Sequence, residues 1–312
     1  MPVAVVAIGG NSLIRDEAHP TVAGEIEALR ETCRHVGAMF TQGWDIVLTH
    51  GNGPQVGFNL LRSESAAAVA PPLPLDVLGA QTQGSIGYLM QQILGNELRR
   101  RDIRKRVVTV VTQTLVDAKD PAFHRPTKPV GPFYELDHAE RLQKVRRWRM
   151  VEDAGRGWRR VVPSPMPLEI VERLVIKGLV FQSIVVIAAG GGGIPVVRRS
   201  DGGLEGVEAV IDKDLATSLL AQSIGADLLL ISTAVEQVAL NYSKPDQRDL
   251  ARLTVDDAKR YLSQGQFPPG SMGPKVLAAL RFVEATGAEA LITSPQGIER
   301  ALDGRTGTRV VP

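Results

Sequence analysis

The sequence predicts an α/β fold with a mainly parallel central sheet, and three observations carry that prediction. Short β-branched runs alternate with longer amphipathic segments along the chain. Most of the runs are apolar throughout, as strands covered on both faces must be. Three of them end in glycine-bearing turns. Alternating strands and helices call for parallel strands joined by right-handed crossovers.

The strands are predicted at 3–8, 46–49, 107–112, 184–189, 209–211 and 228–232. The first helix is predicted over 22–42: Val22, Ile26, Leu29, Cys33, Val36 and Phe40 recur at steps of three or four, and Gly43 can end it. Cys33 lies on that stripe and reads as core. Further helices are predicted at 79–98, 167–181, 214–224 and 274–286. The stretch 118–166 breaks the alternation. It is rich in Pro and Arg and carries Phe123, Phe133, Tyr134, Trp148 and Trp158, the profile of an appended excursion or lid.

Composition narrows the function classes. The chain has 312 residues, 44% hydrophobic and 22% charged, with a formal net charge of +2. That is globular composition without a global field for nucleic acid or membrane. One cysteine excludes an intrachain disulfide framework and fits a reducing cytoplasm. No apolar run approaches the roughly 20 residues of a membrane span. The run 3–8 lacks a charged leader and reads as a strand, not a signal peptide. The histidines show no paired ligand spacing, so no dedicated metal site is predicted.

The glycine turns are Gly9-Gly10-Asn11, His50-Gly51-Asn52-Gly53-Pro54 and Gly190-Gly191-Gly192-Gly193. Each alone could be a tight turn. Together, at the carboxyl ends of parallel strands, they mark where ligands of open α/β sheets bind, with backbone amides free to approach an oxyanion. No P-loop, dinucleotide fingerprint or protein-kinase signature is present. Lys275 follows Pro274 at a predicted helix start, where a cation opposes the helix dipole unless an anion lies nearby. Lys213 stands between Asp212 and Asp214, and Lys128 stands between prolines in the excursion. The arginines at 99–106 read as a helix-end cap. Those flanking Trp148 and Trp158 leave an RNA-binding surface open as a rival reading.

The ordered segments AIGGNSL (7–13), THGNGPQVG (49–57), GSIGY (84–88), DPAF (120–123), PTKPVGPFY (126–134), GWRRVVPSP (157–165), AAGGGGIPV (188–196), AVIDKDLA (209–216) and PGSMGPKV (269–276) resemble the carbamate kinase family of the amino acid kinase superfamily. The resemblance spans nearly the whole chain. It implies an open αβα sandwich with a carbamate-binding part at 1–210, a protruding lid within it at 118–166, and a nucleotide-binding part at 211–312. It implies reversible phosphoryl transfer between ATP and carbamate, running toward ATP in arginine or related nitrogen catabolism. Mg²⁺ would be held mainly through the nucleotide phosphates. Catalytic roles fall to Lys128, Lys213, Asp214 and Lys275. Gly9, Gly10, Asn11, Gly51, Asn52, Gly53, Gly191 and Gly192 would bind substrate; Ser232, Thr233, Tyr242, Met272 and Gly273 would line the nucleotide site. The first strand lacks the lysine that many other amino acid kinases carry there, which fits a lid lysine supplying the charge. A homodimer is expected, partly from the apolar face Ile86, Leu89, Met90, Ile93 and Leu94. The rival readings are another amino acid kinase with a different acceptor, or a non-catalytic ligand- or RNA-binding protein on this fold.

Overall fold

A computed structural model of the chain describes residues 1–10, 13, 21–153 and 155–312; Asn11 of the expected site lies outside them. The first part of the chain forms β1 (Val3–Ile8), α1 (Val22–Thr41), β2 (Asp45–His50), α2 (Gln55–Ser65), α3 (Leu75–Arg100) and β3 (Val107–Thr109). Next come β4 (Gln113–Val116), then within the irregular stretch β5 (Lys128–Tyr134), α4 (Leu136–Arg146), β6 (Arg149–Glu152) and β7 (Trp158–Val162), and after it β8 (Pro167–Ile170). There follow α5 (Arg173–Phe181), β9 (Val185–Ile187), β10 (Ile194–Arg198), β11 (Leu204–Gly206), α6 (Lys213–Ile224) and β12 (Leu228–Ser232). The last part holds β13 (Val238–Leu240), β14 (Arg248–Leu250), β15 (Arg252–Thr254), α7 (Val255–Ser263), α8 (Met272–Thr286), β16 (Glu289–Thr293), α9 (Ile298–Leu302) and β17 (Thr308–Val311).

Among the described residues eight strands form the central sheet, in the order β15-β17-β16-β12-β1-β2-β9-β3. Its neighbouring pairs are parallel except β16 with β17. Side chains alternate across it as a pleated strand requires. Val5 and Ala7 of β1 join Leu220 of α6 and Phe282 of α8 in one core. Ala4, Val6 and Ile8 join Leu29 of α1 and Met90 of α3 in the other. Each such buried large side chain stabilises the fold by roughly 1.5–3 kcal/mol. Cover on both faces is why β1 is apolar throughout. Cys33 sits in the second core, and burial, helped by Glu97, pushes its thiol up to about 12, leaving it inert.

The stretch 118–166 forms an antiparallel three-stranded sheet, β5-β7-β6, with α4 beside it. Val130, Val162 and Trp148 seat it on Val56 and Leu60 of α2 and on Leu75 and Leu78 of α3.

Four sequence expectations are corrected. Residues 209–211 are not a strand: Val210 donates its N–H to Pro163 O and packs against the excursion, so no ladder forms. Residues 167–170 are not helical; they pair antiparallel with β4, and helix begins only at Arg173. The third strand stops at Thr109 rather than 112. Helix α8 starts at Met272, so Lys275 is its fourth residue, still within the first turn. The apolar face of α3 is also covered within one chain, since Ile86, Met90, Ile93 and Leu94 are buried in the α1 core.

Candidate active site

Strands β1, β2 and β9 are consecutive in the sheet, so their three glycine turns meet at one carboxyl edge. The approach is close: a Cβ on Gly10 would lie 3.0 Å from Gly53 O, and one on Gly51 would lie 3.3 Å from Gly10 N. Side chains at these positions would close the gap that the turns leave.

Helix α6 begins at the same edge. Asp212 is its N-cap, its Oδ1 accepting from Asp214 N at 3.0 Å and from Leu215 N at 3.3 Å. Thr217 donates to Lys213 O at 2.6 Å and lies 2.6 Å from the hydroxyl of Thr49 on β2, which fixes the first helical turn to the sheet. Lys213 Nζ donates to Asp214 Oδ1 at 2.5 Å. Helix α8 packs along α6 and delivers Lys275 to the other oxygen, Nζ to Oδ2 at 3.0 Å. One carboxylate thus holds two ammoniums, with side-chain exposures of only 13% and 15%. Lys128 of β5 reaches across from the excursion to Asp212 Oδ2 at 3.4 Å, its side chain 39% exposed.

Burial alone would raise the Asp214 carboxyl, but Lys213 and Lys275 outweigh it and hold the group below its ordinary value. Burial depresses the Lys213 ammonium, Asp214 opposes this, and Lys275 adds to it. The cluster is therefore a pair of desolvated cations on one anion. Such cations stabilise added negative charge far more than they would in water.

Two adjoining clefts open onto the cluster. The first, about 790 Å³, is walled by Asn52, Gly53, Gly191, Lys128, Lys213 and Arg159, among others. The second, about 630 Å³, is walled by Gly9, Thr233, Tyr242, Phe267 and Met272, among others. Gly10, Gly270, Ser271 and Lys275 line both. The structure thus brings together Lys128, Lys213, Asp214, Lys275, Gly10, Gly51, Asn52, Gly53 and Gly191 around the first cleft. Gly9, Thr233, Tyr242 and Met272 line the second. Three expected residues do not line either. Gly192 packs on the chain before α6, where a Cβ would lie 2.5 Å from Ile211 O. Ser232 is fully buried at the end of β12, and its hydroxyl has no partner among the described residues. Gly273 is buried against Pro268 O.

Sequence reading missed Asp212 as the partner of Lys128 and Arg159 as a wall of the first cleft. The arginine–aromatic clusters are used internally. Arg160 is buried, lies 4.4 Å over the Trp148 ring and bonds Glu208 at 2.6 Å. Arg156 and Arg159 lie 4.9 Å and 5.0 Å over Phe133. Trp148 is thus occupied by the protein's own cation rather than left open to stack a base.

His50 is buried beneath the cluster, its Nδ1 2.7 Å from Gly51 O. Burial, with a smaller push from Lys213, lowers it from 6.5 to about 4, against the raising effect of the Gly51 contact. In the unfolded chain it takes up a proton below 6.5, and in the folded chain only near 4. Folding stability is therefore whole above pH 6.5 and falls with pH toward 4, by about 3 kcal/mol from this residue. Urea melts of wild type and His50→Gln should differ by an amount that changes across that window; a difference independent of pH would contradict this.

Residues 2–294 match the profile of the Amino acid kinase family. The carbamate kinase of Thermococcus kodakarensis is 51% identical over 314 residues, covering 100% of this chain and 99% of the relative. A carbamate kinase-like protein of Escherichia coli, YahI, is 51% identical over 312 residues, covering 99% and 98%. Among solved structures, carbamate kinase from Giardia lamblia bound to AMP-PNP superposes with a TM-score of 0.94 at 45% identity, covering 99% of this chain and 98% of that one.

Proposed function

The chain belongs to the amino acid kinase family, and from that membership we propose that it is a carbamate kinase, transferring a phosphoryl group reversibly between ATP and carbamate. The observation that carries this reading is the Lys213–Asp214–Lys275 cluster at the junction of two adjoining clefts. ATP occupies the second cleft, with its γ-phosphoryl at the shared residues Gly10, Ser271 and Lys275. The Giardia relative bound to AMP-PNP supports a nucleotide in this fold. Carbamate occupies the first cleft beside Asn52, Gly53 and Gly191.

A carbamate oxygen attacks the γ-phosphorus, the bond from phosphorus to the bridging oxygen breaks, and ADP leaves with the electron pair. Carbamate is already an anion, so no proton need be abstracted. The protein's task is to hold two negative reactants in line and stabilise the charge on the transferring group. Lys213 and Lys275 do this from the sheet edge, and Lys128 does it from the excursion, which acts as a lid. Mg²⁺ arrives on the nucleotide phosphates, because Asp214 already has an ammonium on each oxygen.

The test is a coupled assay of ADP release across a panel of acceptors: carbamate, acetate, N-acetylglutamate and a nucleoside monophosphate. Release with carbamate alone is expected. Release with another acceptor but not carbamate would overturn the reading.

No helix among the described residues is long and apolar enough to cross a membrane, and a cytoplasmic enzyme is the reading that suits its small charged substrates. The protein works as a homodimer. Helix α5 supports this, since Leu174, Val175 and Phe181 share one exposed apolar face, Phe181 at 79% exposure. Light scattering at micromolar protein should give a dimer mass, and Leu174→Asp with Phe181→Asp should give a monomer. A monomeric wild type would contradict the proposal.

A further inference from the structure

Behind the first cleft lies a buried polar cluster that the reaction, as derived, does not use. The turn after β9 runs left-handed at Ala189 (φ 48°), Gly191 (66°), Gly192 (90°) and Gly193 (88°). Four successive glycines lose more conformational freedom on ordering than any other run, so this course must be fixed from outside. Gln83 of α3, 1% exposed, does so. Its Oε1 accepts from Thr112 N at 2.8 Å, and its Nε2 donates to Thr112 O and to Gly190 O, both at 3.0 Å. Both amide hydrogens are used. Thr112 extends the brace, its hydroxyl accepting from Ala189 N at 2.9 Å, and Thr114 Oγ1 donates to Gly192 O at 2.9 Å. The His50 ring packs over Gly190, where a Cβ would lie 2.4 Å from Nε2.

In a planar trans peptide the C=O and N–H point in opposite directions. With Gly190 O turned back onto Gln83, the Gly191 N–H is turned away from Gln83. Gly191 lines the first cleft, and its N–H has no partner among the described residues. On its other side Gly191 abuts Asn52, where a Cβ would lie 2.3 Å from Nδ2. Asn52 Nδ2 in turn donates to Thr82 Oγ1 at 3.4 Å. One dipeptide of α3, Thr82-Gln83, thus reaches two walls of the same cleft.

We infer that Gln83 is a positioning residue for the acceptor: it sets the Gly190–Gly191 peptide plane so that the Gly191 amide hydrogen meets the anionic oxygen of carbamate or carbamoyl phosphate. This rests on reading the first cleft as the acceptor's.

The test uses Gln83→Leu, and Gln83→Glu should the first misfold; the latter keeps the volume and the bond from Thr112 N. KM is measured for carbamoyl phosphate and for ADP, with hydrogen exchange followed over residues 188–196. The expected result is a KM for carbamoyl phosphate raised on the order of 10-fold, the loss of one hydrogen bond to a charged group, with the KM for ADP held within about 2-fold. Exchange over 188–196 should quicken. An unchanged KM for carbamoyl phosphate, both KM values rising together, or unchanged exchange would overturn the role of Gln83. A wild type inert toward carbamoyl phosphate would overturn the functional reading itself, and the role with it.

Discussion

Lys275→Ala is expected to lower turnover on the order of 10²–10³-fold, the usual cost of one well-placed electrostatic contact, and to weaken nucleotide binding with it. Lys275 lines both clefts, so its ammonium faces nucleotide phosphates in the ground state and the transferring group in the transition state. It also lies in the first turn of α8, where the helix dipole disfavours a cation unless an anion is bound. Asp214 keeps Lys213 as a partner in this variant, so the carboxylate is not left buried and alone. The fold is expected to persist. Steady-state kinetics with a direct nucleotide-binding measurement checks both parts, and wild-type values in both would remove the phosphate site.

Lys128→Ala is expected to cut turnover by a similar factor, on the order of 10²–10³, while leaving ATP affinity unchanged. Lys128 lines the first cleft but not the second, and its contact to Asp212 is long and partly exposed. Such a pair contributes only about 0–1 kcal/mol to stability, so the melting curve should hardly move. The lysine matters when the excursion closes on the transferring group, a step that excludes water and completes the site. Wild-type turnover in this variant would remove the lid lysine from the mechanism.

What could be read from sequence follows from what local pattern encodes. Strands β1, β2 and β12 are legible because every residue in them is buried or nearly so, which leaves an apolar run of at least three residues in each. Residues 209–211 carry a similar apolar signature, but Val210 packs against the excursion while Ile211 joins the sheet's core, a tertiary choice that no local window contains. Pro274 pointed to a helix start, yet the helix begins two residues earlier, with Ser271 at the N-cap and no side-chain bond. In the site, the glycine turns and lysines stood out because both are locally anomalous. Their meeting on one carboxylate did not, since Asp214 and Lys275 come from different helices that only packing aligns. In sequence Asp212 reads only as a neighbour of Lys213; as the N-cap of α6 it also turns its second oxygen toward Lys128. Arg159 stands in an arginine–aromatic run that reads from sequence as a nucleic-acid surface, whereas its partners are Gly131 O and Asp153. Gln83 leaves no signal because its partners are backbone groups remote in sequence.

The most direct measurement is ³¹P NMR of the purified wild-type chain with carbamoyl phosphate and MgADP. Transfer between carbamate and nucleotide predicts loss of the carbamoyl phosphate resonance matched by growth of the three ATP resonances, with Lys275→Ala slowed on the order of 10²–10³-fold. Decay of carbamoyl phosphate to inorganic phosphate alone, with ADP unchanged, would contradict it.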